Sequence, residues 1–430
     1  MKLEMNLTSA LRIIAHRYRH HSAKQIYWSK SKTFRHLVCL LAASNRDFAK
    51  VIVHDLWKYF IRGNPPINGQ TRERAQAALK WLYLAQDATP DDGVAHGYFP
   101  CANQSTQGWG PSYPETTGYI IQTLLDYAHY YPEEEARQRA MRMALWEAEI
   151  QMPSGAVQGG PLCSPENQVA AIFNTGMVLQ GYTSALQYQY DERILTSAQL
   201  AAEFLLSDLG DDGHFQSHGT FVKQGRTKTY NCLCAWALYR FGEYVQEPKY
   251  KAAAVRAVEA AVGEQQENGW FANNCLTHPK SPLLHTIGYT LQGILEVGVL
   301  SNNPQFIAAV QKGTDPILKQ MSPKGFLYGR YFSNWKPANF SACLTGNAQL
   351  AGICYRLFQV TGHDNYRQAA DILVNYLKGL QAMESSNPAL NGAIPGSYPI
   401  LGKYMTAGYP NWATKYFLDS LLLQDQMSNS

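Results

Sequence analysis

The sequence is defined first by what it lacks. No run of 18 apolar residues occurs, so no membrane-spanning helix is expected. Long stretches alternating apolar and polar residues are nearly absent, which argues against a sandwich or barrel; a local hairpin inside a long loop remains compatible. There is no Walker loop, no Gly-x-Gly-x-x-Gly and no Gly-x-Ser-x-Gly, so nucleotide and α/β-hydrolase chemistry are not expected. The Asp-x-Asp-Asp pattern of a terpene cyclase is missing too, because Asp211-Asp212 runs directly into Gly213 and reads as a turn. The eight cysteines are scattered, several in apolar helical stretches, which suits buried thiols in a reducing compartment rather than a disulfide frame. Cys275 and His278 make a C-x-x-H spacing, but zinc needs one or two further ligands, and no metal or cofactor is expected.

Acidic residues are absent between Glu4 and Asp47, a stretch that holds Arg12, Arg17, Arg19, Lys24, Lys30, Lys32 and Arg35. Residues 11–36 are therefore a basic arm, either solvated or laid peripherally on an anionic membrane surface. The net charge of +4 is too small to argue for nucleic acid. Leu37 to Ala43 is a short apolar run after basic residues, but its length and cleavage site are poor for a secretory leader. The expected location is cytoplasmic, with membrane association through the arm.

What the chain does contain is a repeat. Glycine followed by an aromatic or apolar residue recurs at Gly97, Gly155, Gly213, Gly269, Gly325 and Gly392, at intervals of 58, 58, 56, 56 and 67 residues. Each copy follows a segment rich in Ala, Glu and Arg with apolar residues at three- and four-residue spacing: 71–86, 133–151, 192–209, 250–266, 304–320 and 364–381. Each is followed by a loop and then a more apolar segment rich in small residues: 115–130, 167–188, 230–244, 285–297, 341–358 and 412–423. Helices apolar nearly all round belong in an interior. Units of this size cannot bury their faces alone and must stack. The expected fold is all-α: an (α/α)6 toroid of six helical hairpins over 71–425, preceded by a basic helical extension (1–70) and followed by a short tail (426–430).

In that topology the glycine loops gather at one rim, beside the positively polarised N-termini of the inner helices, which favour an anionic ligand. Aromatics are plentiful, with 27 Tyr, 16 Phe and 9 Trp. The loops and first inner turns supply rings, amides and bases from every unit, the composition of a carbohydrate groove. Tyr113, Tyr289 and Tyr331 are candidates for proton transfer, with His214 and His285 as alternatives and Glu115 as the rim carboxylate. Arg330 and Lys223 are candidates to hold a substrate carboxylate. Trp109, Asn174, His218, Tyr230, Tyr328, Trp335, Tyr409 and Trp412 complete the expected binding surface.

The segments Ser-Tyr-Pro-Glu-Thr-Thr-Gly-Tyr (112–119) and Leu-His-Thr-Ile-Gly-Tyr-Thr-Leu-Gln-Gly-Ile-Leu-Glu (284–296), each opening an inner helix, resemble α/α-toroid proteins that act on polysaccharides. The nearest are the helical domains of uronyl C5-epimerases and toroidal polysaccharide lyases. The resemblance implies an oligo- or polysaccharide partner, anionic in character, in bacterial surface-polysaccharide biosynthesis. Abstraction of the proton beside a uronate carboxyl needs a base, an acid and a group that neutralises the carboxylate, and the rim offers all three. Two alternatives stay open: a glycoside hydrolase pairing Glu115 with Glu166 or Asp211, and a non-catalytic glycan-binding scaffold.

Overall fold

In a computed structural model that describes residues 46–64, 66–103, 106–217 and 227–429, the repeat becomes helical hairpins. The outer helices are α2 (Thr71–Asp87), α4 (Glu134–Ile150), α6 (Glu192–Asp208), α8 (Pro248–Gly263), α10 (Pro304–Leu318) and α12 (Asp364–Lys378). The inner helices are α3 (Pro114–Tyr130), α5 (Ile172–Tyr188), α7 (Leu233–Tyr244), α9 (Leu284–Leu300), α11 (Leu344–Thr361) and α13 (Asn411–Asn429). A preceding helix, α1 (Arg46–Trp57), belongs to the N-terminal extension. The last inner helix runs on to Asn429, so residues 426–429 extend it instead of forming a tail.

Burial separates the two sets. In α5 every residue from Ile172 to Leu186 is buried, as an interior helix requires, whereas α4 buries one stripe that includes Ala136, Ala140, Met143 and Ala144. The inner helices pack in the order α3, α5, α7, α9, α11, α13, and α13 returns to pack on α3 and α2, so the ring is closed. Small residues set the spacing: a methyl on Gly181 of α5 would stand 2.2 Å from the Gly118 carbonyl of α3.

The signature glycines explain how neighbouring units lock. Gly155, Gly213, Gly269, Gly325 and Gly392 all have positive φ and abut a backbone carbonyl of the next unit's outer helix. A side chain would be excluded twice, by conformation and by contact. The first unit departs from the expected register. Gly97 lies in a strand; Asp92 holds the glycine position, and Gly93 beside it packs on the Trp146 ring of the next outer helix. A glutamine near the end of the outer helix reinforces the joint in several units. Gln151 Nε2 donates to Gly155 O and Ser197 O (both 2.9 Å), and Gln381 Nε2 to Gly392 O and Arg74 O (both 3.0 Å).

The first N–H of an inner segment is repeatedly taken by the following unit's loop. Ile172 N donates to Ser217 O (3.0 Å), Leu284 N to Gly329 O (2.9 Å), Leu344 N to Gly396 O (3.1 Å) and Asn411 N to His96 O (3.1 Å). The last of these joins the sixth unit to the first. Strand is confined to the loops. A hairpin of β1 (Gly97–Asn103) and β2 (Thr106–Trp109) extends to β5 (Tyr409–Pro410), and β3 (Ala342–Cys343) pairs with β4 (Ser397–Tyr398). The extension is anchored on the last two loops: Asp55 Oδ2 accepts from Ile400 N (2.6 Å), and the Tyr59 hydroxyl donates to Phe340 O (2.7 Å). The basic arm 11–36 and the candidates His218 and Lys223 lie outside the described residues. Among the described residues no helix is long and apolar enough to cross a membrane.

Gly392 is the joint that closes the circle, with φ 93° and an added Cβ 2.1 Å from Ala77 O. Gly392→Ala should lower the unfolding free energy by about 2–4 kcal/mol. Gly263→Ala, in helix α8 with nothing within 4 Å, should be neutral or raise it by up to about 1 kcal/mol. Urea unfolding of both variants is the measurement, and equal midpoints would contradict the seam.

Candidate active site

The first turns of the inner helices converge on Glu115. Pro114 opens α3, where its missing N–H costs nothing, and this sets Glu115 in the first turn with Tyr113 as the residue before the helix. Tyr113 hydrogen-bonds the Glu115 carboxyl. Burial pushes Glu115 up to about 8 against the opposing pull of that bond, so the carboxyl is protonated at neutral pH. Its charge would act on Tyr113, Tyr119, Tyr230, Tyr289 and Tyr404, whose phenols burial already holds above their ordinary range.

Two of these tyrosines also border His285, the second residue of α9. Its Nδ1 lies 2.9 Å from Gln349 Oε1. An amide oxygen only accepts, so with this amide orientation Nδ1 carries the hydrogen and Nε2 presents a lone pair. Burial pushes the imidazole down to about 4, the Gln349 bond opposing, which leaves it neutral. Its ring centroid lies 4.3 Å from that of Tyr289 and 5.6 Å from that of Tyr404. Phe173 packs between Tyr289 (4.6 Å) and Tyr230 (5.4 Å). Trp412 Nε1 donates to the Tyr404 hydroxyl at 2.7 Å. From α13, Lys415 Nζ lies 4.1 Å from the Tyr416 ring centroid and 5.1 Å from that of Tyr119, and is paired with Asp419 at 2.7 Å. All six units therefore contribute to one cluster.

At its edge, Arg330 is bridged to Leu283 at the start of α9 and donates to Ser281 O at 2.7 Å. Burial, Arg330 and Lys403 together hold the His278 imidazole below its usual range, so this rim is electropositive. Cys275 Sγ accepts the His278 backbone N–H at 3.0 Å, and among the described residues no group of three or more side chains is set to hold a metal ion.

Several expected site residues lie elsewhere. Tyr331 is fully buried, accepts the Tyr328 N–H and packs on Trp335. Trp335 is wedged against Trp270 and donates to Asn268 O (2.9 Å), so both are structural supports of the fifth loop. Tyr328 packs on Phe326. Trp109 stacks with Trp81 and Tyr98 in the β-hairpin, and Tyr409 is buried in β5 against Tyr98. Asn174 is buried and donates to Gln158 O. His214 sits in the third glycine turn, 3.9 Å from Glu264 at the outer wall. The two carboxylates considered as partners for Glu115 are also distant in kind: Glu166 is exposed and takes the Ser164 hydroxyl, and Asp211 is exposed in its turn. Conversely, the cluster includes residues not singled out from sequence. Phe173 and Tyr416 read as core; Tyr416 is four residues beyond Trp412, hence on the same helical face. His96, whose buried Nδ1 has no partner and whose ring lies 6.3 Å from Tyr113, carried no motif.

No protein-family model and no curated protein sequence matches the chain. Solved structures match in fold. An unsaturated glucuronyl hydrolase specific for heparin gives a TM-score of 0.67 at 14% identity, over 84% of this chain and 98% of that one. A D-mannose isomerase gives 0.66 at 12% identity, over 83% and 97%. A cellobiose 2-epimerase from Bacillus thermoamylovorans gives 0.65 at 11% identity, over 82% and 98%. These are α/α-toroid carbohydrate-active enzymes, and the chain has their fold: an all-α toroid. At such identities the likeness is one of architecture alone.

The raised Glu115 pKa has a measurable consequence. The folded chain keeps this proton to about pH 8, whereas an ordinary glutamate loses it near 4.5. Between those values the folded state binds more protons, so the group's contribution to stability is present at low pH and falls as pH rises to 8. Glu115→Gln removes that slope. Relative to wild type it should gain on the order of 1–2 kcal/mol between about pH 5 and pH 8, allowing for solvent at a partly exposed carboxyl. Urea unfolding at the two pH values reads this, and parallel profiles would contradict the buried acid.

Proposed function

We propose that the chain is a carbohydrate-active enzyme that abstracts the C5 proton of a uronate residue in an oligo- or polysaccharide, as an epimerase or a lyase. The observation that carries this reading is that a protonated carboxyl, Glu115, and a neutral imidazole, His285, border the same tyrosines, Tyr289 and Tyr404, while Glu166 and Asp211 are exposed in their own loops. Two-carboxylate hydrolysis needs a second acid across the scissile bond. Proton transfer at carbon needs one acceptor and one donor.

In this mechanism His285 Nε2 takes the C5 proton, and the electron pair of the broken C–H bond spreads into the adjacent carboxylate. Arg330 is the rim cation available to hold that carboxylate, since Lys415 is paired with Asp419. An incoming anion also raises the basicity of His285, which burial otherwise depresses. Tyr289 and Tyr404, kept as neutral phenols, donate hydrogen bonds to the developing charge. Glu115 then supplies its proton, either to the opposite face of C5, which inverts the centre, or to the departing O4, which leaves a C4–C5 double bond. The setting proposed is assembly of a bacterial surface polysaccharide in the cytoplasm, with the basic arm 11–36 at an anionic membrane.

Incubation with uronate-containing polysaccharides in heavy water should place deuterium at C5, or generate the absorbance of a conjugated uronate. Either signal should fall about 10²-fold or more in His285→Gln and in Glu115→Gln. New reducing ends without either signal would identify a hydrolase instead, and binding without any product would identify a glycan scaffold.

A further inference from the structure

Beneath the Glu115 cluster the inner helices enclose a polar chamber that extends towards their C-terminal ends. It has a volume of about 410 Å3 and is lined by Gln122 and Asp126 of α3, Trp236 in the first turn of α7, Glu296 of α9, Arg356 of α11 and Asp419 of α13. That volume lies within the ~300–1,000 Å3 of ordinary small-molecule sites. On α3 the first lining residue, Gln122, comes seven residues after Glu115, about 10 Å along the helix. Lys415, Tyr416 and Gln349 form the partition, since they touch the Glu115 cluster on one side and line the cavity on the other.

We infer that this chamber binds an uncharged sugar, a mono- or disaccharide. Its charges balance. Glu296 is paired with Arg356 (3.1 Å), Asp419 with Lys415 (2.7 Å), and Asp126 faces Arg240. An ionic ligand would have to split one of these pairs in a half-enclosed space, whereas a neutral polyol can hydrogen-bond to the unused edges of both members. Trp236 supplies a flat ring at the wall, with Arg240 5.7 Å from its centroid, and aromatic faces stack on the C–H side of a pyranose. Gln349, buried on the partition, is held between His285 Nδ1 and the Tyr416 hydroxyl, which fixes its amide at the chamber wall. The helix C-termini at this end carry partial negative charge, which disfavours an anion of the kind the other end attracts. The two ends thus select by charge.

The test is calorimetric titration of the full chain with D-glucose and cellobiose, and with D-glucuronate as the charged comparison. Both neutral sugars should bind wild type and Glu115→Gln alike. Trp236→Ala should weaken them about tenfold or more, while Trp236→Phe should largely keep them. Circular dichroism checks that each variant is folded; if Trp236→Ala is not, Gln292→Ala in the same wall replaces it and should also weaken binding. Absence of heat with both neutral sugars overturns the inference. So does binding lost in Glu115→Gln but kept in Trp236→Ala, which would place the sugar at the Glu115 cluster, or displacement of glucose by glucuronate with the Trp236 dependence. None of these outcomes depends on C5 chemistry, so the two readings fail separately.

Discussion

Closure of the ring is the constraint from which the rest follows. An inner helix that is apolar on every side cannot end in water, and its first N–H groups need acceptors. The usual device, a Ser, Thr, Asp or Asn side chain at the N-cap, is missing from the inner helices that begin after Tyr113, Ala171, Leu283 and Cys343. For α5, α9 and α11 the acceptor comes instead from the following unit's loop, and for the last helix from His96 in the first, while α3 opens on Pro114, which has no N–H to satisfy. An open spiral would deprive the last helix of its acceptor. The outer layer repeats the logic, with the signature glycines pressed on the next outer helix.

That closure has an electrostatic consequence. It brings six helix N-termini to one end of the axis and seals Tyr119, Tyr289 and His285 away from bulk water. In such surroundings charged forms are penalised, which keeps Glu115 protonated, His285 neutral and the phenols intact. Burial thus moves the carboxyl and the imidazole of one cluster in opposite directions, and neither carries a charge.

The architecture was legible because it rests on periodic features: glycines at nearly constant spacing, amphipathic outer segments and uniformly apolar inner ones. The first unit was misregistered at Gly97 because Asp92 stands where other units have glycine, as the Gln86 Nε2 to Asp92 O bond (3.0 Å) shows by analogy with Gln151 and Gly155. The site was only partly legible. Tyr113, Glu115, Tyr230, His285, Tyr289 and Trp412 occupy first turns, where topology alone assigns the rim. Tyr331, Trp335, Trp109 and Tyr409 are equally loop-borne aromatics, yet they support the loops from behind. Their sequence neighbourhood does not differ from that of a ligand-facing ring; what separates them is burial against another unit. Tyr416 was hidden for the opposite reason, since a helix apolar all round conceals which of its faces meets the axis.

The glycine signature, the strongest signal in the chain, is accordingly a statement about assembly and not about chemistry. Its positive φ and its contact with a neighbouring carbonyl are needed whatever the toroid does. Chemistry is set by what the closed ring leaves at its two ends. At the loop end, helix N-termini carry partial positive charge beside Arg330 and the buried, uncharged Glu115 and His285. At the other, helix C-termini meet three acids matched by three cations, and the field is nearly neutral. One set of six helices thus presents two chemically distinct surfaces. The partition between them is a single layer in which Lys415 contacts both Asp419 and the rings around Glu115, so the two ends share a charged residue and cannot be electrostatically independent.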